Sequence, residues 1–252
     1  MISRGNDPAK NTGFLKIALI GYGKMGKAIE EIALAKGHEV VLKINSANKE
    51  ELTSTNLQQA DIAIEFTNTE NAVNNIYKCF DAGIPVVCGS TGWLQHLPEV
   101  EKYCQDKNGA FLYASNFSIG VNIFFEINKK LAALMAAHSS YEVSIEEIHH
   151  TQKKDAPSGT AITLAEQVIK EIPRKTSWTN SPATDEDQLY IESKRIDPAP
   201  GTHKVKYSSA VDDIEIIHTA HNRKGFAGGA ILAAEFLQGK QGIFFMKDVL
   251  GL

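Results

Sequence analysis

Hydrophobic positions along this chain switch between two spacings. Phe14–Ile20 (FLKIALI) is almost continuously apolar, as a strand covered on both faces must be. It runs into Gly21-Tyr22-Gly23-Lys24-Met25-Gly26, and from Lys27 a helical repeat continues to Ala35, with Gly37 as its terminator. His38–Ile44, Asp61–Phe66, Ile84–Cys88 and Ala110–Ala114 read as further strands, separated by helical patterns over Asn71–Ala82 and Pro98–Lys107. Strand and helix in alternation predict a parallel sheet with right-handed crossovers.

After Asn116 the pattern changes. Val121–Ala137 is one long apolar helix, Val143–Ile148 alternates like a strand, and Thr160–Ile172 returns to helical spacing. Residues 173–204 are polar and proline-containing and yield no element. Val205–Ser209 and Asp213–Thr219 read as antiparallel strands, Gly229–Leu237 as an alanine-rich helix, and Gly242–Leu252 as a final apolar segment. The expectation is a two-domain α/β chain. Residues 14–117 and 223–252 form a Rossmann-type dinucleotide-binding domain, and 118–222 form a second, α+β domain. Hinges are expected where the chain crosses, near Asn116–Gly120 and Asn222–Gly225, and residues 1–13 as a disordered polar leader.

Composition narrows the classes. A chain of 252 residues, 43% of them hydrophobic, can bury a sizeable core. The net charge of −4 leaves no basic surplus for nucleic acid. No apolar run approaches the roughly 20 residues of a membrane span. Cys79, Cys88 and Cys104 are odd in number and lack C-x-x-C spacing, against a disulfide framework or a zinc site, so no metal and a reducing cytoplasm are expected.

The glycine run carries chemistry because of its context, after a strand and opening a helix. Gly21 permits a tight turn, Gly23 lets backbone approach a pyrophosphate, and Gly26 allows close helix–strand packing, with Tyr22, Lys24 and Met25 between them. An acid ending the second strand would hold the ribose hydroxyls of NAD. Here the strand ends Leu42-Lys43-Ile44-Asn45-Ser46 and the next acid is Glu50. Lys43 suits a 2′-phosphate instead, so NADPH is expected to serve at least as well as NADH. Thr67, Gly89-Ser90-Thr91 and Ala114-Ser115-Asn116-Phe117 all follow strands, at the edge where an open parallel sheet binds its ligand, and complete the expected cofactor rim.

The densest chemistry lies in Glu147-Ile-His149-His150-Thr-Gln-Lys153-Lys154-Asp155-Ala-Pro157-Ser158-Gly159-Thr160, between a strand and a helix. Ser158 is a good N-cap, which leaves the amides of Gly159 and Thr160 pointing outward at the positive end of the helix dipole. Such a terminus binds a carboxylate or phosphate. Two imidazoles and two ammonium groups beside it describe a pocket for a small anion that must be protonated. Glu147 and Asp155 read as loop-shaping carboxylates. His218, His221 and Arg223 could reach the pocket from the last strand, or simply be its polar end.

These motifs, with Ser115-Asn-Phe-Ser-Ile-Gly-Val-Asn122 and Arg223-Lys-Gly-Phe-Ala-Gly-Gly-Ala230, resemble the 4-hydroxy-tetrahydrodipicolinate reductase family over about Phe14–Leu252. The resemblance implies an NAD(P)H-dependent enzyme of the diaminopimelate route to lysine. Its substrate is a cyclic imine with two carboxylates, reduced with loss of water to tetrahydrodipicolinate. It further implies His149 as proton donor and acceptor, Lys153 as proton donor, His150 as a substrate contact, and Gly159-Thr160 as a carboxylate site. It implies a homotetramer joined through the sheet of the second domain. Two rivals are a reductase of another imino acid and a dinucleotide-binding redox sensor; a sensor needs no proton donor, so His149 and Lys153 weigh against it.

Overall fold

The computed structural model describes residues 13–222 and 224–252. Residues 1–12 of the expected leader, and Arg223, lie outside the described residues. The chain divides into two compact units, one made of the residues up to Ser118 together with Phe226–Leu252, the other of Ile119–Gly225.

In chain order the first unit begins with β1 (Lys16–Ile20), α1 (Lys24–Ala35), β2 (Glu39–Ile44), a short α2 (Ser54–Leu57), β3 (Ile62–Glu65), α3 (Thr69–Asp81), β4 (Val86–Cys88), α4 (Leu97–Asp106) and β5 (Ala110–Tyr113). The second unit holds α5 (Ile119–Met135), β6 (Glu142–His149), α6 (Gly159–Glu171), β7 (Ser177–Thr179), β8 (Gln188–Arg195), β9 (Gly201–Ser208) and β10 (Asp213–Ala220). The chain then returns through α7 (Lys224–Leu237), β11 (Gly242–Phe244) and α8 (Met246–Leu250).

The first sheet runs β2-β1-β3-β4-β5-β11 with every pairing parallel. Its central strands are buried end to end because helices cover both faces. Alternate residues feed two cores: Ala18, Ile20, Val86 and Phe111 pack on one side with Trp93 and Phe80, and Ile17, Leu19, Ile64 and Leu112 pack on the other with Ile29, Ala230 and Ile231. The strand order reverses at β1, between β2 and β3. A crevice therefore opens beyond the carboxyl ends of β1 and β3, where ligands of such sheets bind.

Helix starts differ from the sequence pattern in an instructive way. α1 begins at Lys24 rather than Lys27, so Lys24 and Met25 form its first turn and Gly26 lies inside it. α7 begins at Lys224 rather than Gly229, straight through a glycine pair that looks like a helix breaker. The reason is contact. A Cβ on Gly229 would sit 1.8 Å from the carbonyl oxygen of Phe117, so glycine lets the helix backbone press against that turn.

The second sheet runs β10-β9-β6-β8-β7, antiparallel between β10, β9 and β6 and parallel between β6, β8 and β7. α5 and α6 bury one face against Val143, Ile145, Leu189, Ile191, Val205 and Tyr207. The opposite face carries a ladder of ion pairs linking Glu146 to Lys194 and Lys204, and Glu215 to Lys204 and Lys206. Residues 173–204, which the pattern left unplaced, supply β7, β8 and the start of β9. The inward positions of β8 are Leu189 and Ile191, then Ser193 and Arg195. Half of this strand's inward positions are polar and only partly buried, which erases the alternation that marks a strand.

Candidate active site

In the first unit, Gly21 has φ +99°, and a Cβ there would lie 2.0 Å from the Phe66 carbonyl oxygen, so the turn admits only glycine. The amides of Gly21 and Tyr22 donate to the Ile44 carbonyl at 2.9 and 2.7 Å, tying the loop across the switch point. A Cβ on Gly26 would be 2.6 Å from the Gly21 oxygen, whereas a Cβ on Gly23 meets nothing within 4 Å. Gly23 is also the N-cap of α1 and offers no capping side chain. The first-turn amides therefore face open space at the positive end of a helix, a cradle that fits a pyrophosphate.

Two clefts adjoin this loop. One, of about 520 Å³, is lined by Tyr22, Gly23, Asn45, Ser46, Lys49 and Asn71 among others. The second, of about 280 Å³, brings together Met25, Thr67, Gly89, Ser90 and Thr91. The Thr67 amide donates to Ser90 Oγ at 2.8 Å, and its hydroxyl donates to the buried carboxylate of Glu65, which also accepts from Asn75 and Cys88. Trp93, fully buried, donates to the Ser90 carbonyl at 2.7 Å and anchors the turn from below. Glu65 was not anticipated. It sits in an apolar strand, and its partners come from Thr67 just past the strand, from α3 and from the adjacent β4.

Two expected parts of the cofactor rim line neither cleft. Lys43 lines neither cleft: its ammonium lies 2.5 Å from Glu30 and 5.2 Å above the Tyr22 ring, and the ion pair pushes Lys43 up and Glu30 down from their ordinary pKa values. On a strand whose Leu42 and Ile44 point into the core, Lys43 necessarily points the other way, toward α1. Asn45, Ser46 and Lys49, just past the strand, take the place beside the cleft. Ala114, Ser115, Asn116 and Phe117 follow β5 but also line neither cleft. Phe117 is a core side chain, its ring 5.5 Å from that of Phe66.

In the second unit the polar cluster is built at the ends of β6, β8 and β9. Sequence pattern ended the strand at Ile148; His149 is in fact its last residue, paired with Arg195 across the sheet. That puts Glu147 and His149 on the same face, two residues apart. Glu147 is fully buried, and its Oε1 accepts from the Ser158 amide at 3.1 Å and from Arg195 at 2.9 Å. Its Oε2 lies 3.1 Å from His149 Nδ1. Burial alone would push this carboxyl up, but the close His149 ring and the hydrogen bonds from Ser158 and Arg195 outweigh burial and hold it well below the usual carboxylate range. His203 of β9 packs edge-on against His149 with ring centroids 5.1 Å apart, and its Nε2 shares a hydrogen bond with Ser158 Oγ at 3.1 Å. Burial, with His149 next to it, drives His203 down to about 3.

Ser158 caps α6 as expected, its Oγ accepting from the Ala161 amide at 3.3 Å. The amides of Gly159 and Thr160 have no hydrogen-bond partner among the described residues, and a Cβ on Gly159 would meet nothing within 4 Å. Lys153 Nζ donates to both oxygens of Asp155 at 2.8 Å. Arg195 crosses beneath the loop and donates to the carbonyls of Asp155, at 2.6 Å, and Lys153, at 3.3 Å. Next to it, Thr151 is held by Asp197, and His150 is half-buried. His149, His150, Lys153, Gly159 and Thr160 thus share one end of the sheet. His218 lies on the helix-covered face of β10, its ring 6.0 Å from Phe124, and His221 is exposed.

Arg195 and His203 were missed, and Glu147 was read only as a loop-shaping group. Both missed residues come from the stretch that showed no periodicity. Only the i, i+2 spacing of Glu147 and His149 offered a signal. Glu147, His149 and His203 converge closely enough for ligand atoms to lie within 4.8 Å of one another. Arg195 already neutralises the carboxylate, so the cluster reads as one that shares protons rather than one that awaits a cation.

A parallel sheet with a glycine loop at its switch point, joined to a unit that gathers proton donors around an open helix terminus, defines a dinucleotide-dependent oxidoreductase. The chain belongs to the dihydrodipicolinate reductase family, whose N-terminal and C-terminal models match residues 15–117 and 120–250. It is 50% identical over 236 residues to the 4-hydroxy-tetrahydrodipicolinate reductase of Christiangramia forsetii, covering 94% of this chain and 98% of that one. The enzyme of the same name from Neisseria meningitidis is 30% identical, with the same coverage. Among solved structures, a dipicolinate-bound dihydrodipicolinate reductase from Paenisporosarcina sp. TG-14 superposes with a TM-score of 0.74 at 21% identity, covering 92% of this chain and 98% of that one. Aspartate semialdehyde dehydrogenase II from Vibrio cholerae follows at 0.52 and 12%, covering 89% and 98%. At such identities these two likenesses concern the fold.

Proposed function

We infer that this chain reduces 4-hydroxy-tetrahydrodipicolinate to tetrahydrodipicolinate with NADPH or NADH, on the diaminopimelate route to lysine. Family membership supports the reaction. The observation that carries it to residues is the convergence of His149, Lys153 and the free Gly159 and Thr160 amides at one end of the second sheet. Substrate, NAD(P)H and one proton give product, NAD(P)⁺ and water. The reduced nicotinamide, when bound, supplies the hydride. The amides of Gly159 and Thr160 bind one carboxylate of the substrate through the helix terminus, and His150 contacts the ring. Lys153 gives a proton to the electron-rich ring that reduction leaves, and His149 exchanges protons beside it. The pairing of Lys153 with Asp155 supports this role, because a dicarboxylate offers the same partner to the same ammonium.

For the cofactor, Lys49 and Lys78 both line the larger cleft, and Lys49, next to Asn45 and Ser46 at the end of β2, is the one placed for a 2′-phosphate, with Asn45 and Ser46 for ribose hydroxyls. Both NADPH and NADH are expected to serve. The family resemblance supports assembly into a homotetramer. Light scattering tests this: four times the 27.6 kDa chain mass is expected, and a monomer mass removes the proposal. The described cysteines are all free and buried, which suits a reducing cytoplasm. No described helix is long and apolar enough to cross a membrane.

The decisive experiment is NADPH and NADH oxidation with the substrate formed in situ from pyruvate and aspartate semialdehyde. Rapid turnover is expected. Cofactor binding without turnover on this imine would transfer the assignment to another imino acid.

A further inference from the structure

The proton-handling histidine has two unlike edges. Nδ1 and Glu147 Oε2 are both buried, lie 3.1 Å apart, and have no hydrogen-bond partner elsewhere among the described residues. The other edge runs along the start of β9, where a Cβ on Gly201 would stand 3.0 Å from Nε2. Position 201 is glycine, so no side chain at that position covers the nitrogen. The charged or titratable groups around the ring are Glu147 on its own strand, Arg195 on β8, His203 on β9, and Lys153 and Asp155 on the loop.

We propose that Glu147 is the positioning residue of the proton-transfer site, holding His149 with Nδ1–H turned inward so that Nε2 is the atom that exchanges protons. Arg195 and the Ser158 amide occupy the other carboxylate oxygen and fix its plane. The same Arg195 holds the backbone of Lys153 and Asp155, and the same Ser158 starts the carboxylate-binding helix. One buried carboxylate therefore sets the proton exchanger, the ammonium loop and the anion site together. His203 completes the device: a ring kept neutral by burial does not compete for the proton.

This rests on the reading of His149 as proton exchanger, and the test separates the two. Nitrogen-15 spectra of the histidine rings in the resting full-length protein, with His149 assigned by its loss in H149Q, report the tautomer without any turnover. Protonated Nδ1 and bare Nε2 are expected in the neutral ring, and the opposite tautomer overturns the proposal outright. E147Q retains an acceptor for the Ser158 amide but loses the charge. It should scramble the tautomer, lower kcat on the order of 10²-fold with KM for the imine nearly unchanged, and move the limb of the pH–rate profile that requires protonated enzyme to lower pH by about one unit. An unchanged tautomer and profile in folded E147Q also overturn it. If E147Q does not fold, G201A serves instead: a methyl against Nε2 should lower kcat while the Nδ1–H signal persists, and unimpaired turnover counts against Nε2. Should the wild type fail on this imine yet show the expected tautomer, the functional reading falls and the positioning role stands.

Discussion

α1 and α6 both begin at a place where an added Cβ would touch nothing, at Gly23 and at Gly159, and both present free amides to an anion. They are supported in opposite ways. The α1 terminus has no capping side chain and is shaped by backbone alone: Gly21 against the Phe66 carbonyl, Gly26 against the Gly21 oxygen. The α6 terminus is capped by Ser158, whose amide and hydroxyl are held in turn by Glu147 and His203. A loop that only binds a phosphate needs shape and a dipole. A site that must also move a proton needs titratable groups at fixed distances, and those arrive from strands far apart in the chain.

The largest break in this comparison is chemical. K153A removes the ammonium on the α6 side only, so kcat should fall by roughly 10²–10⁴ while the affinity for NADPH, read by fluorescence titration, stays unchanged. Normal turnover would take the proton from another donor. Acid provides a second asymmetry. His203 titrates near 3 when folded and near 6.5 when not, so burial keeps it neutral only in the native state. Its contribution to stability is complete above about pH 6.5 and is lost as pH falls toward 3; that of Glu147, also depressed, is lost below about pH 4.5. Thermal melts should show a loss of up to a few kcal/mol across this window. H203Q should flatten the part above pH 4.5, and an unaltered slope would assign the acid sensitivity elsewhere.

The contrast also explains what was readable in advance. The first sheet and its glycine turn rest on local rules, apolar strands and residues chosen for backbone reach, and these lie in consecutive positions. Lys43 stands at a strand end, yet the inward placement of Leu42 and Ile44 turns it toward Glu30. In the second unit the histidine–lysine loop was legible, yet β8 was not: Ser193 and Arg195 spend its inward positions on the site rather than on the core. Polarity that serves chemistry hides the strand that carries it.

The two open glycines give a matched pair of smaller tests. G23A adds a methyl that touches no protein atom, so its melting temperature should hold, while cofactor affinity falls about 10-fold or more because the methyl enters the space of the ligand. G159A should leave both stability and cofactor affinity alone and raise KM for the imine by a similar factor. G21A is the control, with its Cβ 2.0 Å from a backbone oxygen and a positive φ, and should lose stability itself. If G23A melted like G21A, the open space before α1 would be shaped by something other than the glycine.

The smallest effect lies at the far end of the larger cleft, where two lysines compete for one role. Lys43 is already neutralised by Glu30, and Lys49 is exposed beside Asn45 and Ser46. K49E should lower the NADPH-to-NADH ratio of kcat/KM by about 10-fold, the size of one charge-assisted hydrogen bond to a phosphate. K43E instead places a carboxylate beside Glu30 and should alter stability more than the ratio. If K43E moved the ratio and K49E did not, Lys43 would have to leave Glu30 when NADPH binds, and E30Q, which weakens that ion pair, should then raise the preference for NADPH.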